Sequence, residues 1–241
     1  MVPKILTSLK TNHKTIMTTH LKQTYSLLIL FIVLTSCNNN QNSTAFQLEP
    51  GDLLFQNTGT SDISKAIKDV TATSFSKNYS HVGIAMQKDN QWFVVEAFPK
   101  EGVCQTPLKT FLNRNKNQFN KSQTTVARLD RYYQPYIAKA ITYGLERINT
   151  PYDELFLWDD QSYYCSELVY KMFSSQDLPK DAIPFLTHPM TFNDSTGYPM
   201  PSWKTYYNKR HQPIPEGVEG TNPNLMASSP HITFVHDYER D

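Results

Sequence analysis

The sequence carries almost no net charge and few glycines. Its 23 Lys and Arg residues nearly balance 22 Asp and Glu residues, which leaves a formal net charge of +1. This balance argues against a nucleic-acid partner, because nucleic-acid-binding domains concentrate positive charge, and no acidic run indicates a disordered tail. Only 8 glycines stand beside 15 prolines. We therefore expect long loops whose conformation is restricted by proline.

The motifs of several enzyme classes are missing. The sequence has no Gly-x-Ser-x-Gly nucleophile elbow, no His-Glu-x-x-His, no Cys-x-x-Cys pair and no glycine-rich phosphate loop. His211, His231 and His236 lack the spacing of metal ligands. We therefore expect neither a metal site nor a cofactor.

An apolar run near the amino terminus is too short to span a membrane. It extends from Tyr25 to Leu34, about 10 residues, whereas a spanning helix needs about 20. With Lys22 before it, the run is typical of a secretory signal, which we assign to residues 1–36. Met17 places the charged region directly before the apolar run, so residues 1–16 are interpreted as a mis-assigned extension.

The apolar run is followed by two small residues and a cysteine. The segment Leu34-Thr35-Ser36-Cys37 resembles a bacterial lipobox, which implies cleavage before Cys37 and lipid on this residue. The alternative is a plain signal peptide with an incidental cysteine. The first interpretation predicts a lipid-anchored lipoprotein of the bacterial cell envelope, on the periplasmic side or at the cell surface. Residues 37–48 would form the lipidated cysteine and a flexible tether, and 49–241 the domain.

Within the domain, the apolar residues follow strand-like spacing in some segments and helix-like spacing in others. Alternating or β-rich segments predict strands at 80–86, 92–98, 124–129 and 231–236. Helical spacing predicts a helix that is capped near Ser61 or Asp62 and carries Ile63 to Val70, and two more at 133–148 and 163–174. These elements together indicate one α+β domain.

Two cysteines remain after Cys37. Cys104 and Cys165 could pair in an oxidising compartment, although two cysteines do not make a disulfide framework. Cys165 lies at the predicted start of a helix, where the N–H groups and the helix dipole favour a thiolate, which is the nucleophilic form. The alternative is a buried structural cysteine on the apolar stripe of that helix.

A histidine and a glutamate interrupt two apolar strands. His81 begins the first strand, and Glu96 lies within the second, where a carboxylate is costly unless it is paired. A two-residue loop at Lys88-Asp89 would set His81 directly opposite Glu96 on one face, whereas a three-residue loop would separate the faces unless a bulge intervenes. Once paired, Glu96 would fix the tautomer of His81, which would take the thiol proton. Otherwise His81 is a hydrogen-bonded core residue.

Six motifs stand in order along the chain: Gly51-Asp52-Leu53-Leu54-Phe55-Gln56, Tyr79-Ser80-His81-Val82-Gly83-Ile84, Val95-Glu96-Ala97, Thr106-Pro107-Leu108, Pro151-Tyr152-Asp153 and Tyr164-Cys165-Ser166-Glu167-Leu168-Val169. In this order they resemble the YiiX/YebB/YaeF-like permuted papain-like amidases, which are related to the NlpC-type peptidases. The resemblance covers residues 49–236. It implies a circularly permuted papain-like fold, an α+β fold with an antiparallel sheet or small barrel packed on helices.

The resemblance also implies roles for three residues. Cys165 would be the nucleophile, His81 the general base and then acid, and Glu96 the group that orients the imidazole. The backbone N–H of Cys165 is a natural oxyanion donor, and Tyr79 or Tyr164 could supply a second. The segment 185–207 would wall a substrate groove or merely cover the core, and it contains His188, an alternative base.

These roles predict a cysteine hydrolase that cleaves an amide or peptide bond through an acyl-enzyme. A peptidoglycan-type peptide or an amino-acid conjugate would suit an envelope location. The alternatives are a lipid acyltransferase or thioesterase of the same fold, and an envelope lipoprotein that binds a ligand without catalysis.

Overall fold

A computed structural model describes residues 46–58 and 77–240. The predicted signal, the lipidation site at Cys37, most of the tether and the predicted helix at Ile63 to Val70 lie outside this range. Within it, no helix is long and apolar enough to cross a membrane.

Six strands form one antiparallel sheet. Its order is β4-β3-β2-β1-β5-β8, and two further strands, β6 and β7, pair separately. The bounds are β1 Leu53–Gln56, β2 His81–Lys88, β3 Gln91–Phe98, β4 Gly102–Pro107, β5 Thr124–Leu129, β6 His188–Pro189, β7 Glu219–Gly220 and β8 Ile232–Asp237. The four predicted strands correspond to β2, β3, β5 and β8.

Five α-helices accompany the sheet in the described part of the chain. They are α1 Leu108–Asn113, α2 Gln134–Leu145, α3 Cys165–Ser174, α4 Pro201–Asn208 and α5 Pro223–Ala227, with single 3-10 turns at Arg131–Tyr133 and Lys180–Ala182. The predicted helices at 133–148 and 163–174 correspond to α2 and α3. An antiparallel sheet packed with helices confirms the predicted α+β class.

The main core lies between the sheet and the helices α2 and α3. Gly144 of α2 allows their close approach, since a Cβ there would lie 2.3 Å from Cε of Met172 and 2.9 Å from Cγ1 of Val95. Leu168 and Val169 of α3 are fully buried in this core. A smaller cluster on the other face of the sheet consists of Leu54, Ala85, Val94, Phe111 and Val126.

The β2–β3 hairpin turns through two residues, Asp89 and Asn90. Both have positive φ angles, 50° and 59°, as a type I′ hairpin turn requires. Lys88 consequently pairs with Gln91. The loop has the predicted length of two residues but begins one position later than predicted.

This shift changes how the two polar residues of the hairpin face each other. Continuing the observed register sets Gly83, not His81, across from Glu96. The direct opposition of His81 and Glu96 that a loop at Lys88-Asp89 would produce is therefore not found, because Lys88 pairs with Gln91 instead of lying in the turn. His81 and Glu96 still share one face, since side chains two residues apart on a strand point the same way. Their side chains therefore meet diagonally across strands β2 and β3.

Candidate active site

Cys165 is the first residue of α3. Tyr164 before it has an extended backbone (φ −89°, ψ 167°) and donates its N–H to a carboxyl oxygen of Glu167 at 3.3 Å. This contact is half of a capping box and fixes the residue at which the helix begins. The side chain of Cys165 is buried. It lies where first-turn N–H groups have no intrahelical acceptor and favour negative charge.

The imidazole of His81 lies between Glu96 and Cys165. Its Nε2 is 2.5 Å from Oε2 of Glu96, and the ring lies close enough to Cys165 to be affected by its charge. Because Nε2 faces the carboxylate, Nδ1 is the ring nitrogen that remains for the sulfur. Burial alone would lower the pKa of His81, but the interactions with Cys165 and Glu96 outweigh it and raise this pKa to about 9. The raised pKa favours the protonated ring, and a positive charge of this kind favours the thiolate form of a neighbouring thiol.

Glu96 is fully buried, and both of its carboxylate oxygens accept hydrogen bonds. Thr106 donates its hydroxyl to Oε1 at 2.5 Å, and Arg114 donates to each oxygen at 2.8 Å. Burial alone would raise the pKa of Glu96, but the hydrogen bonds from His81 and Arg114 and their charges lower it to about 2. The carboxylate is therefore charged throughout the physiological range.

Gly83 makes the diagonal contact between His81 and Glu96 possible. A Cβ at this position would lie 2.5 Å from Cγ1 of Val94 and 3.2 Å from Cβ of Glu96. Any side chain at this position would have to displace that of Val94. The missing side chain leaves the space over which the carboxylate of Glu96 reaches the imidazole.

Two residues that hold Glu96 were not found from the sequence. Arg114 follows the last residue of α1, and its guanidinium carbon lies 3.6 Å from the centre of the Phe98 ring. Nothing in the polar segment around it distinguishes this arginine from its neighbours. Thr106 belongs to one of the six motifs, which indicated the segment but not the role of its hydroxyl.

The two tyrosines proposed as oxyanion donors have different positions. The hydroxyl of Tyr164 accepts a hydrogen bond from the N–H of Thr221 at 3.2 Å, and Tyr164 lines a cavity together with Cys165. Tyr79 packs against Phe55 and is not among the residues that line this cavity.

Tyr152 is a third tyrosine near the thiol, and sequence reasoning assigned it no role. Burial, and after it the charge of Cys165, raise the pKa of Tyr152 well above its ordinary value. The phenol of Tyr152 is therefore neutral at physiological pH and keeps a hydroxyl proton that it can donate. The motif Pro151-Tyr152-Asp153 was the available indication.

A cavity of about 90 Å³ is lined in part by Cys165. Segments distant in sequence line it: Phe156, Tyr164, Cys165, Ser166, His188, Met190, Thr191, Phe192, Trp203, Thr221, Asn222 and Pro223. The edge-to-face contacts of Trp203 with Phe192 (4.9 Å) and Phe156 (5.4 Å) make much of the wall aromatic.

The segment 185–207 serves both of the purposes that the sequence left open. Phe192 and Trp203 wall the cavity, whereas Phe185 packs on Phe173 of the main core at 5.7 Å between ring centres. His188, the alternative base, also lines the cavity and has Nδ1 2.9 Å from the carbonyl oxygen of Pro189. The imidazole whose pKa is affected by Cys165 is that of His81.

The remaining reactive groups are the cysteines and the side chains that could bind a metal ion. Cys104 and Cys165 are both free thiols. Across residues 46–58 and 77–240, no group of three or more His, Cys, Asp or Glu side chains is placed so that it could hold a metal ion. The arrangement at Cys165 therefore consists of a thiol, an imidazole, a carboxylate and an apolar cavity.

A thiol at the start of a core helix, with His81 and Glu96 before it in the chain, defines a permuted papain-like protein. Comparison with known families agrees with this class. The chain belongs to the permuted papain-like amidase family of YaeF and YiiX, the C92 family, whose model matches residues 47–236. The predicted family and fold are confirmed.

Two relatives were found in Escherichia coli. The chain is 31% identical to the uncharacterized protein YiiX of strain K12 over 132 residues, which are 54% of this chain and 60% of that protein. The crystal structure of the metalloprotein yiiX from strain O157:H7 superposes with a TM-score of 0.63 at 24% identity, over 80% of this chain and 98% of that one. The structural likeness shows the fold. The donor set needed to hold a metal is not assembled among the described side chains of this chain.

Proposed function

We propose that this protein is a cysteine hydrolase that cleaves an amide or peptide bond through an acyl-enzyme. The observation that carries the proposal is the imidazole of His81, which lies beside Cys165 and has Nε2 2.5 Å from Oε2 of Glu96. Nucleophile, base and orienting group are the three parts that this chemistry needs. The family to which the chain belongs is described as amidases.

The geometry suggests how the steps would follow. The thiolate of Cys165 attacks the carbonyl carbon and forms a C–S bond, and the oxyanion is met by the N–H of Cys165 at the helix start. The imidazolium of His81 gives its proton to the leaving nitrogen, and the C–N bond breaks. Neutral His81 then takes a proton from water, whose oxygen attacks the thioester carbon. The C–S bond breaks, which releases the acid and restores the thiolate of Cys165 beside the imidazolium. Glu96 stays ionised throughout and stabilises the imidazolium.

The acyl-enzyme provides a direct test. Purified protein is incubated with a bacterial envelope extract that contains peptides and amino-acid conjugates, and its intact mass is measured after rapid acid quenching. A thioester adduct on Cys165 that hydroxylamine removes supports the proposal, and its mass identifies the acyl donor. Cys165→Ala is the control and should carry no adduct. Failure to form an adduct, with equal thiol reactivity in wild type and His81→Ala, would favour a ligand-binding lipoprotein.

We also propose that the enzyme is anchored to a membrane of the bacterial cell envelope through lipid on Cys37. The proposal is supported by the apolar run from Tyr25 to Leu34 and the small-residue site before Cys37. Its substrate would then be a peptidoglycan-type peptide or an amino-acid conjugate. Radiolabelled palmitate should be incorporated into the wild type and not into Cys37→Ser, and a labelled Cys37→Ser variant would contradict the assignment.

A further inference from the structure

The side chain of Asn224, in α5, is bonded to the chain just before His81. Asn224 is 1% exposed, and its Oδ1 accepts a hydrogen bond from the backbone N–H of Tyr79 at 2.7 Å. Tyr79 lies two residues before His81, the residue at which the pairing of β2 with β1 begins. A buried backbone N–H requires an acceptor, and the side chain of Asn224 supplies it beyond the end of the ladder. Asn224 therefore fixes the path by which the chain enters β2.

The main chain of Thr221 is bonded to both neighbours of Cys165. Its N–H donates to the hydroxyl of Tyr164 at 3.2 Å, and its carbonyl oxygen accepts a hydrogen bond from the hydroxyl of Ser166 at 3.3 Å. Both of these side chains are buried. The two contacts hold the start of α3 on either side of the thiol.

The short segment that joins these contacts, residues 221–224, is itself held in place. The side chain of Asn222 accepts a backbone N–H of α5 at 2.8 Å and so caps this helix. Pro223 occupies the first turn, where its fixed φ angle suits a helix. Met226 and Ala227, on the following turn, are buried in the main core. A capped helix that is anchored in the core can hold both ends of the segment at a fixed distance.

The two groups that the segment connects come from different layers of the fold. His81 begins a strand of the sheet, and Cys165 begins a helix that packs on that strand. This packing holds β2 and α3 together, whereas residues 221–224 bond next to the reacting groups themselves. Proton transfer needs the imidazole within hydrogen-bond reach of the sulfur, so a small displacement of either chain segment would weaken it.

We propose that residues 221–224 act as a clamp that holds His81 and Cys165 at the separation that proton transfer requires, with Asn224 as the positioning residue. Asn224 acts on the imidazole through the backbone of Tyr79. This inference rests on the proposed function, because the separation matters for a nucleophile that the imidazole activates.

The pH dependence of thiol alkylation tests the clamp without requiring amide turnover. The protein is labelled with iodoacetamide at pH 6 and at pH 8, and peptide mass spectrometry gives the rate at Cys165 for each. A thiol of ordinary acidity gains roughly 80-fold in thiolate between these two pH values. A thiolate held beside an imidazolium is already formed at pH 6, so its rate changes little. Glu96, which faces the imidazole, and Arg114 behind it are present in every variant.

In the wild type we expect the rate at pH 8 to exceed the rate at pH 6 by less than about fivefold. In Asn224→Ala the ratio should rise to at least about 20-fold, because the imidazole is no longer held beside the sulfur. Asn224→Asp keeps an acceptor oxygen on a side chain of the same size and should restore a ratio near that of the wild type. The control Ser229→Ala removes a hydroxyl that accepts the backbone N–H of His231 at 3.1 Å, after the end of α5, and should keep the wild-type ratio.

The other end of the clamp provides an independent variant. Tyr164→Phe combined with Ser166→Ala removes both hydroxyls that bond to the main chain of Thr221 and leaves Asn224 in place. This double variant should also raise the ratio to at least about 20-fold. It decides the question if Asn224→Ala does not fold, which circular dichroism would show.

Two outcomes would overturn the clamp. One is a wild-type ratio in folded Asn224→Ala or, where that variant does not fold, in the double variant. The other is an equal rise of the ratio in Ser229→Ala. Failure of the proposed function is a separate result. In that case the wild type forms no acyl-enzyme with the envelope extract, while the alkylation ratios still show whether residues 221–224 hold the imidazole beside the thiol.

Discussion

Arg114 holds Glu96 through two parallel hydrogen bonds, each 2.8 Å long. The guanidinium also stacks on Phe98, whose ring packs edge-on against the imidazole of His81 at 5.3 Å between ring centres. A planar fork of this kind fixes a carboxylate in direction as well as in charge. The group that orients His81 is thus itself oriented by an arginine outside the proposed triad.

Replacement of Arg114 should therefore weaken catalysis through Glu96. In Arg114→Met, we expect kcat/KM for an amide substrate to fall by about 10- to 100-fold and stability to fall by about 3 kcal/mol, since a buried carboxylate loses its ion pair. Arg114→Lys should recover part of both. The measurements are steady-state kinetics and urea unfolding.

Arg128→Met is the matched control for Arg114→Met. Arg128 also donates two hydrogen bonds to a buried carboxylate, that of Asp52, at 2.7 and 2.9 Å. Its loss should reduce stability and leave kcat/KM unchanged. If the two arginine variants lose activity equally, Arg114 has only a structural role.

Glu96→Gln keeps the size of the side chain and removes its charge. Without the carboxylate the imidazolium of His81 is less stable, so the pKa of His81 should fall from about 9. We expect kcat/KM to decrease about 100-fold, a smaller loss than that caused by Cys165→Ala. The pKa of His81 can be followed by NMR titration of its ring protons. An unchanged titration in this variant would show that Glu96 does not orient the ring.

The stability of the folded protein should decline in two pH ranges, one acidic and one alkaline. The pKa of Glu96 is lowered on folding from 4.5 to about 2, so its contribution is complete above 4.5 and is lost as the pH falls through about 2. The pKa of His81 is raised from 6.5 to about 9, so its contribution is complete below 6.5 and is lost as the pH rises through about 9. Thermal midpoints recorded from pH 2 to 10 should show both declines. The decline in thermal midpoint at low pH should be smaller in Glu96→Gln, and the decline at high pH should be smaller in His81→Asn. A variant whose pH profile matched that of the wild type would contradict the corresponding assignment.

Tyr152 and Tyr79 form a second matched pair. Burial and the charge of Cys165 raise the pKa of Tyr152, whereas Tyr79 packs against Phe55 and does not line the cavity beside Cys165. Tyr152→Phe should lower kcat by about 10- to 100-fold with little change in KM, as expected for a donor that acts mainly in the transition state. Tyr79→Phe should leave kcat unchanged. The reverse pattern would restore the role that the sequence suggested for Tyr79.

The parts of the site that follow local periodicity could be predicted from the sequence. Cys165 begins a helix whose apolar stripe is evident in the sequence, and α3 begins at this residue. His81 and Glu96 share a face because a two-residue loop preserves the alternation of side chains. The exact register could not be fixed, because Lys88-Asp89 and Asp89-Asn90 both suit a tight turn. Only the positive φ angles of Asp89 and Asn90 distinguish them.

The parts that depend on contacts distant in sequence could not be predicted. Arg114 follows a six-residue helix, α1, which is too short to show a period, and it reaches a carboxylate 18 residues away. The cavity wall joins Phe156, Trp203 and Thr221 from separate loops and helices. The aromatic residues of segment 185–207 indicated either the wall of a substrate groove or a cover over the core. Only the tertiary packing shows which of these positions each aromatic residue takes.

The central claim is that His81 holds Cys165 as a reactive thiolate, and the alkylation rate of this thiol tests it most directly. Cys104 is an internal reference, because burial raises the pKa of its thiol. At pH 6, mass spectrometry of peptides should show iodoacetamide modifying Cys165 at least about tenfold faster than Cys104, and at least about tenfold faster than Cys165 in His81→Ala. Equal rates for the two cysteines, or a rate at Cys165 that survives the loss of the imidazole, would contradict the account.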